Sequence, residues 1–342
     1  MIKALIVDDS SFMRKSLTHI LTSERSIDVV GTAANGEEAI QKVRQLKPDV
    51  VLLDIEMPVM DGLAALAHIM AECPTPVLML SALNKRDAAV AIKSCEYGAV
   101  DFIPKPSGVI SYDIEKLSRE IVAKVKAASG VNAHKMRLHL PEETYQRQQP
   151  KPLSRKKIVV IGASTGGPRA VAQVLSGLPR DISTAVIVVQ HMSPEFVPSF
   201  VDRLQWGSSV IISTVKRGEA ITPGRVLIAP GGYQTMIIAN GRAQKIRLSR
   251  RASPHDILPS IDCTMESAAR AYGDGTLGVL LTGLGSDGAR GLKAIKEAGG
   301  STIAEAESSC IVFGMPKAAI ELGCVDEVVP LPQIARTILR MI

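Results

Sequence analysis

The sequence predicts two doubly wound α/β domains in tandem, each built on a parallel sheet. Three observations carry this. Up to about residue 127, the apolar runs Ala4–Val7, Val29–Ala33, Val50–Leu53, Val77–Leu80 and Ala99–Ile103 are separated by segments of helical period. Strands alternating with helices of that length build βαβ units, here around a five-stranded parallel sheet. From 157 to 342 a second alternation follows, with strands expected at Ile158–Ile161, Ala185–Val189, Val210–Ser213, Val226–Ala229, Thr276–Leu281 and Ser301–Ala304. Between the two, residues 128–156 are polar, basic and rich in Pro and Gln, the composition of a linker.

Local signals refine the two halves. Asn35 followed by Gly36, Glu37 and Glu38 is a helix start, with Asn35 as N-cap and acids in the first turn. Tyr233–Ala239 and Ala243–Leu248 flank Asn240-Gly241, a dipeptide suited to a type I′ turn, so a small β-hairpin is expected.

Composition narrows the function classes. Hydrophobic residues make up 46% of the 342, enough for ordinary cores. No apolar run approaches the roughly 20 residues of a membrane span, and the start MIKALIVDDSS turns acidic too soon for a signal peptide. A cytoplasmic chain without direct membrane insertion is expected. The five cysteines are scattered and form no C-x-x-C pair, as for buried thiols in a reducing compartment. The net charge of +6 is concentrated around the linker, and no compact three-helix reader follows residue 157, so no nucleic-acid partner is expected.

The first chemical constellation is a set of carboxylates at strand ends. Asp8 and Asp9 close the first strand and Asp54 the third, while Ser81 closes the fourth and Lys105 follows the fifth. In an open parallel sheet these ends form one rim, where ligands bind. Three carboxylates there repel one another unless a cation joins them, and an all-oxygen set suits Mg²⁺. A carboxylate can accept a phosphoryl group covalently, with Lys105 as a point charge for its oxygens.

Residues 1 to about 125 resemble the response-regulator receiver family, through LIVDDSSFMR, DVVLLDIEMPVMDGL, MLSA and DFIPKP. The resemblance implies phosphorylation of Asp54 by a histidine kinase and Mg²⁺ binding by Asp8, Asp9 and Asp54. It also implies Ser81 as switch hydroxyl, Phe102 as switch aromatic, and a cis Lys105–Pro106 bond.

The second constellation begins at Gly162-Ala-Ser164-Thr-Gly166, a G-x-S-x-G motif between an expected strand and helix. Three readings stand for it: a serine nucleophile on a tight turn, an anion-binding loop, or a structural turn. No G-x-x-x-x-G-K-[ST] accompanies it. As base, His191 is favoured over His255 because it follows the strand Ala185–Gln190 onto the same rim. As orienting carboxylate, Asp287 after the strand Thr276–Leu281 is favoured over Asp262. The chain order Ser, His, Asp differs from the Ser, Asp, His order of α/β-hydrolases.

Residues 157 to about 340 resemble the catalytic domain of chemotaxis protein-glutamate methylesterases, the CheB family. GASTGGP, VVQHM, LIAPGGY, LLTGLGSDGARG and VFGMP carry the resemblance. It implies a Ser164, His191, Asp287 triad, with an oxyanion held by backbone N–H groups near Thr165 and Leu284. It implies glutamyl methyl esters on methyl-accepting chemotaxis receptors as substrate, methanol as product, receptor glutamine deamidation in some members, and no cofactor for ester hydrolysis. Leu284 and Ser286 depart from the family's usual TGMGNDG.

Overall fold

A computed structural model describes residues 1–105, 112–133, 157–240, 243–250 and 257–342. The chain forms two compact units, Met1–Leu140 and Pro141–Ile342.

In the first unit the strands are β1 (Ile2–Val7), β2 (Ile27–Ala33), β3 (Val50–Asp54), β4 (Val77–Ser81) and β5 (Asp101–Pro104). They form a parallel sheet of order β2-β1-β3-β4-β5. Every residue of β3 and β4 is buried, as expected of strands covered on both faces. The helices are α1 (Ser11–Thr22), α2 (Gly36–Leu46), α3 (Gly62–Glu72), α4 (Lys85–Ser94) and α5 (Tyr112–Ser129). α2 starts as its sequence directs: Asn35 Oδ1 accepts from the Glu38 amide at 2.9 Å, and Glu38 Oε2 reaches back to the Ala34 amide. α5 runs to Ser129, past the expected start of the linker, because Ile121, Val125 and Ala128 continue a fully buried stripe. Pro106 and residues 134–156 lie outside the described residues, and with them the Lys105–Pro106 bond and most of the linker.

The second unit holds a seven-stranded sheet of order β14-β13-β12-β6-β7-β9-β8, parallel throughout. Its strands are β6 (Ile158–Ala163), β7 (Ala185–Gln190), β8 (Ile211–Thr214), β9 (Arg225–Ile228), β12 (Thr276–Leu280), β13 (Ser301–Glu305) and β14 (Glu327–Val329). The helices are α6 (Gly167–Ser176), α7 (Val197–Trp206), α8 (Ile261–Tyr272), α9 (Ala289–Glu297), α10 (Met315–Glu321) and α11 (Leu331–Met341). Ile158, Val160, Met265, Leu280 and Leu292 join one buried cluster that binds α8 and α9 to the sheet. The expected hairpin is β10 (Gln234–Asn240) against β11 (Ala243–Ser249), antiparallel. Asn240 ends β10, and Gly241 lies outside the described residues.

Both sheets reverse their winding at one strand. In the first unit the order turns between β1 and β3. In the second, β7 lies on one side of β6 and β12 on the other. Crevices open at the carboxyl ends of strands at such switch points.

Candidate active site

In the second unit, three loops meet at the switch point. Ser164 follows β6, His191 follows β7, and Asp287 lies in the loop after β12. The β6–β7 ladder pairs Ala163 with Gln190, so the two residues beyond it start level. His191 Nδ1 lies 3.1 Å from Ser164 Oγ, and His191 Nε2 lies 2.8 Å from Asp287 Oδ2. The carboxylate therefore accepts a hydrogen bond from Nε2–H, which leaves the Nδ1 lone pair facing the hydroxyl. In the chymotrypsin arrangement the two ring nitrogens have the opposite partners.

Tight backbone packing fixes the serine. Gly166 sits at φ +77°, where a Cβ would also meet Ile311 at 2.7 Å. Gly283 passes so close that a Cβ there would stand 2.7 Å from Ser164 Cβ. The Ser164 amide donates to Thr282 O at 3.0 Å. Gln190 Nε2 donates to Ser164 O and His191 O, tying the two loops together. Among the described residues, the Thr165 and Leu284 amides have no acceptor shown. That suits N–H groups kept for an oxyanion.

Asp287 is held by the start of α8. It accepts from the Ile261 amide at 2.7 Å, the Asp262 amide at 3.1 Å and Ser260 Oγ at 3.0 Å. Burial pushes its carboxyl up, but the His191 hydrogen bond and charge, with those amides, hold it below the usual carboxylate range. Asp262 does not face the imidazole. Its Oδ1 accepts from the Gly288 and Gly291 amides at 2.8 and 2.7 Å, and its Oδ2 pairs with Arg290 at 2.9 Å. The two carboxylates thus exchange helices: Asp287 caps α8 and Asp262 caps α9. His255 lies outside the described residues.

The first unit gathers a second site. Asp8, Asp9 and Asp54 can bring carboxylate oxygens within 4.8 Å of one another. Lys105 Nζ lies 2.9 Å from Asp8 Oδ2 and 2.7 Å from Asp54 Oδ1. Asp54 Oδ1 also accepts from the Ile55 amide, while the buried Asp54 Oδ2 has no hydrogen-bond partner among the described residues. Burial pushes the Asp54 carboxyl up to about 6; Asp8 adds to the rise, and Lys105 opposes it. An unpartnered buried oxygen in an all-oxygen, acidic set fits a hard divalent cation such as Mg²⁺. Ser81 Oγ donates to Ala82 O at 3.1 Å rather than to Asp54. Phe102 is buried, its amide donating to Asp101 Oδ1 and its carbonyl accepting from Lys124 Nζ.

Gln190, Ser260, Thr282 and Glu305 were not singled out from sequence, and they brace the site. For Gln190 a usable signal existed, since it directly precedes His191 at a strand end.

Comparison with known proteins agrees with the two-unit layout. The CheB methylesterase family model matches residues 159–338, and the response regulator receiver domain model matches residues 4–111. A protein-glutamate methylesterase/protein-glutamine glutaminase of Pyrococcus abyssi is 42% identical over 344 residues, covering 100% of this chain and 94% of its own. One of the same name from Halalkalibacterium halodurans is 44% identical, covering 99% of this chain and 98% of its own. The crystal structure of the Thermotoga maritima CheB methylesterase catalytic domain superposes with a TM-score of 0.54 at 38% identity, over 55% of this chain and 99% of that one. With more than half its length matched by that family and full-length relatives above 40% identity, this chain belongs to the CheB methylesterase family.

Proposed function

We propose that the chain hydrolyses glutamate methyl esters on chemotaxis receptors under phosphorylation control, with Ser164 as nucleophile, His191 as general base and Asp287 as orienting carboxylate. The observation that carries this reading is the continuous path from Ser164 Oγ through both ring nitrogens of His191 to Asp287. His191 Nδ1 takes the Ser164 proton as Oγ attacks the ester carbonyl. The negative charge that develops on the carbonyl oxygen is met by the Thr165 and Leu284 amides. The tetrahedral species collapses, methanol leaves with the proton from Nδ1, and the acyl group stays on Oγ. Water then attacks with its proton passing to Nδ1, and glutamate is released as Ser164 recovers its proton. The same steps on a glutamine side chain release ammonia. One lost oxyanion donor costs about 3–4 kcal/mol of barrier in comparable enzymes, so the two amides rank with the base in importance.

Asp54 is the phosphoryl acceptor, with a histidine kinase as donor. Asp8, Asp9 and Asp54 would hold Mg²⁺, which offsets charge between the carboxylates and the phosphoryl oxygens when bound. Lys105 supplies the second positive charge, and Ser81 and Phe102 respond to the new group. A cytoplasmic location is part of the reading; no helix among the described residues is long and apolar enough to cross a membrane. The test is methanol release from methylated receptor membranes. Ser164→Ala should abolish it, and retained release would remove Ser164 from the mechanism.

A further inference from the structure

Glu305 ends β13 with its carboxylate fully buried and, among the described residues, no cation paired with it. Its Oε2 accepts from the Thr282 amide at 2.8 Å, and its Oε1 accepts from Ser309 Oγ at 2.9 Å. Ser309 Oγ in turn accepts from the Leu331 amide at 2.8 Å, which leaves its own proton for Glu305. Thr282 is the second residue beyond the β12 ladder, so without Glu305 its amide would be an orphaned buried donor.

Thr282 also touches the nucleophile loop with its other polar groups. Its carbonyl accepts from the Ser164 amide at 3.0 Å. Its hydroxyl donates to Thr165 O at 3.0 Å and accepts from the Val312 amide at 2.9 Å. Two residues on, Leu284 carries one of the two amides proposed above for the oxyanion. One residue, Thr282, therefore links the serine, the two residues that carry the oxyanion amides and the buried carboxylate.

We propose that Glu305 is a positioning residue for ester hydrolysis, fixing the Thr282 peptide and through it Ser164 and the Thr165 and Leu284 amides. It acts as a double hydrogen-bond acceptor of the right length. Charge is not what the geometry uses, since both partners are neutral donors. Burial pushes the Glu305 carboxyl up, against the pull of the Thr282 amide, the Ser309 hydroxyl and the Cys310 thiol, which is consistent with a place that gains nothing from ionisation. A glutamine fits the same pattern, with its carbonyl on the Thr282 amide and its NH₂ donating to Ser309 Oγ as that hydroxyl turns to another acceptor. Ala306 O, 3.3 Å from Ser309 Oγ, is at hand.

The inference rests on Ser164 being the nucleophile, and the experiment separates the two. Full-length wild type, Glu305→Gln, Glu305→Asp and Glu305→Met are compared for methanol release and for the rate of Ser164 labelling by a fluorophosphonate. Glu305→Gln should stay within about threefold of wild type in both. Glu305→Met fills the space without an acceptor, and should lose about a hundredfold in kcat and in labelling rate with KM unchanged, as for misplaced reacting groups. Glu305→Asp keeps the charge but is one methylene short, so it should fall below Glu305→Gln, which decides the matter even if Glu305→Met does not fold. Glu305→Asp matching or exceeding Glu305→Gln, or a folded Glu305→Met with wild-type kcat, would overturn the inference. No labelling of Ser164 in the wild type would overturn the nucleophile assignment and this inference with it.

Discussion

Replacing Asp262 probes how strongly the carboxylate exchange braces the site. One oxygen, Oδ1, accepts from both the Gly288 and Gly291 amides, and all three residues are buried. Asp262→Ala strands both donors. Each buried unsatisfied amide costs about 1–3 kcal/mol, so the loss should be about 2–6 kcal/mol. Asp262→Asn keeps an acceptor at Oδ1 and gives up the Arg290 pair on Oδ2. The Arg290 side chain is 53% exposed, so that pair contributes no more than about 1 kcal/mol. The two variants should therefore differ by several kcal/mol. Cys324 is a built-in reporter: it is 3% exposed, and its Sγ donates to Ala289 O, on the first residue of α9. Pulsed thiol labelling of Cys324 across a urea series gives the midpoint and slope for this unit. Equal loss in the Ala and Asn variants would show that the Arg290 charge carries the contribution. A loss below about 1 kcal/mol in Asp262→Ala would show that the amides find other acceptors.

Asp287→Asn should lower kcat by about 10⁴-fold with little change in KM, because an amide NH₂ facing Nε2 turns the Nδ1 proton toward the serine; stopped-assay methanol release reads it. The Asp287 carboxyl is held below the usual range, so the stability it adds is in place above about pH 4 and is lost only as pH falls through the depressed folded value. Asp54 runs the other way: its folded value of about 6 lies above the ordinary 3.8, so ionisation above pH 6 costs the fold up to about 3 kcal/mol, and lowering pH through that window restores stability. Asp54→Asn should therefore stabilise the first unit at pH 8 in chelator and lose that advantage by about pH 4, measured by labelling of buried Cys95. Removing divalent cations should stop phosphorylation from a small phosphodonor, read by intact mass, while unstimulated methanol release continues.

Much of this architecture was legible because buried parallel strands read as continuous apolar runs, and β3, β4, β6 and β7 are buried at every position. β14 was not legible: it has three residues, lies at a sheet edge and leaves Val328 48% exposed. The meeting of Ser164, His191 and Asp287 follows from parallel strands presenting their carboxyl ends together. What supports them was hidden, because it depends on register. Glu305 is an ordinary glutamate in sequence, and only the pairing of Leu280 with Ala304 brings it beside Thr282. The choice between Asp262 and Asp287 likewise turned on which helix start each carboxylate reaches.

The orientation of the His191 ring has a regiochemical consequence. The nitrogen turned toward the serine is the one nearer the ring's own backbone attachment. An electrophile seated on the nucleophile, such as a glutamyl chloromethyl ketone, meets that atom as chloride departs. Hydrolysates of the inactivated protein should then yield the π-alkylated histidine, the isomer opposite to the τ adduct expected of a chymotrypsin-like ring.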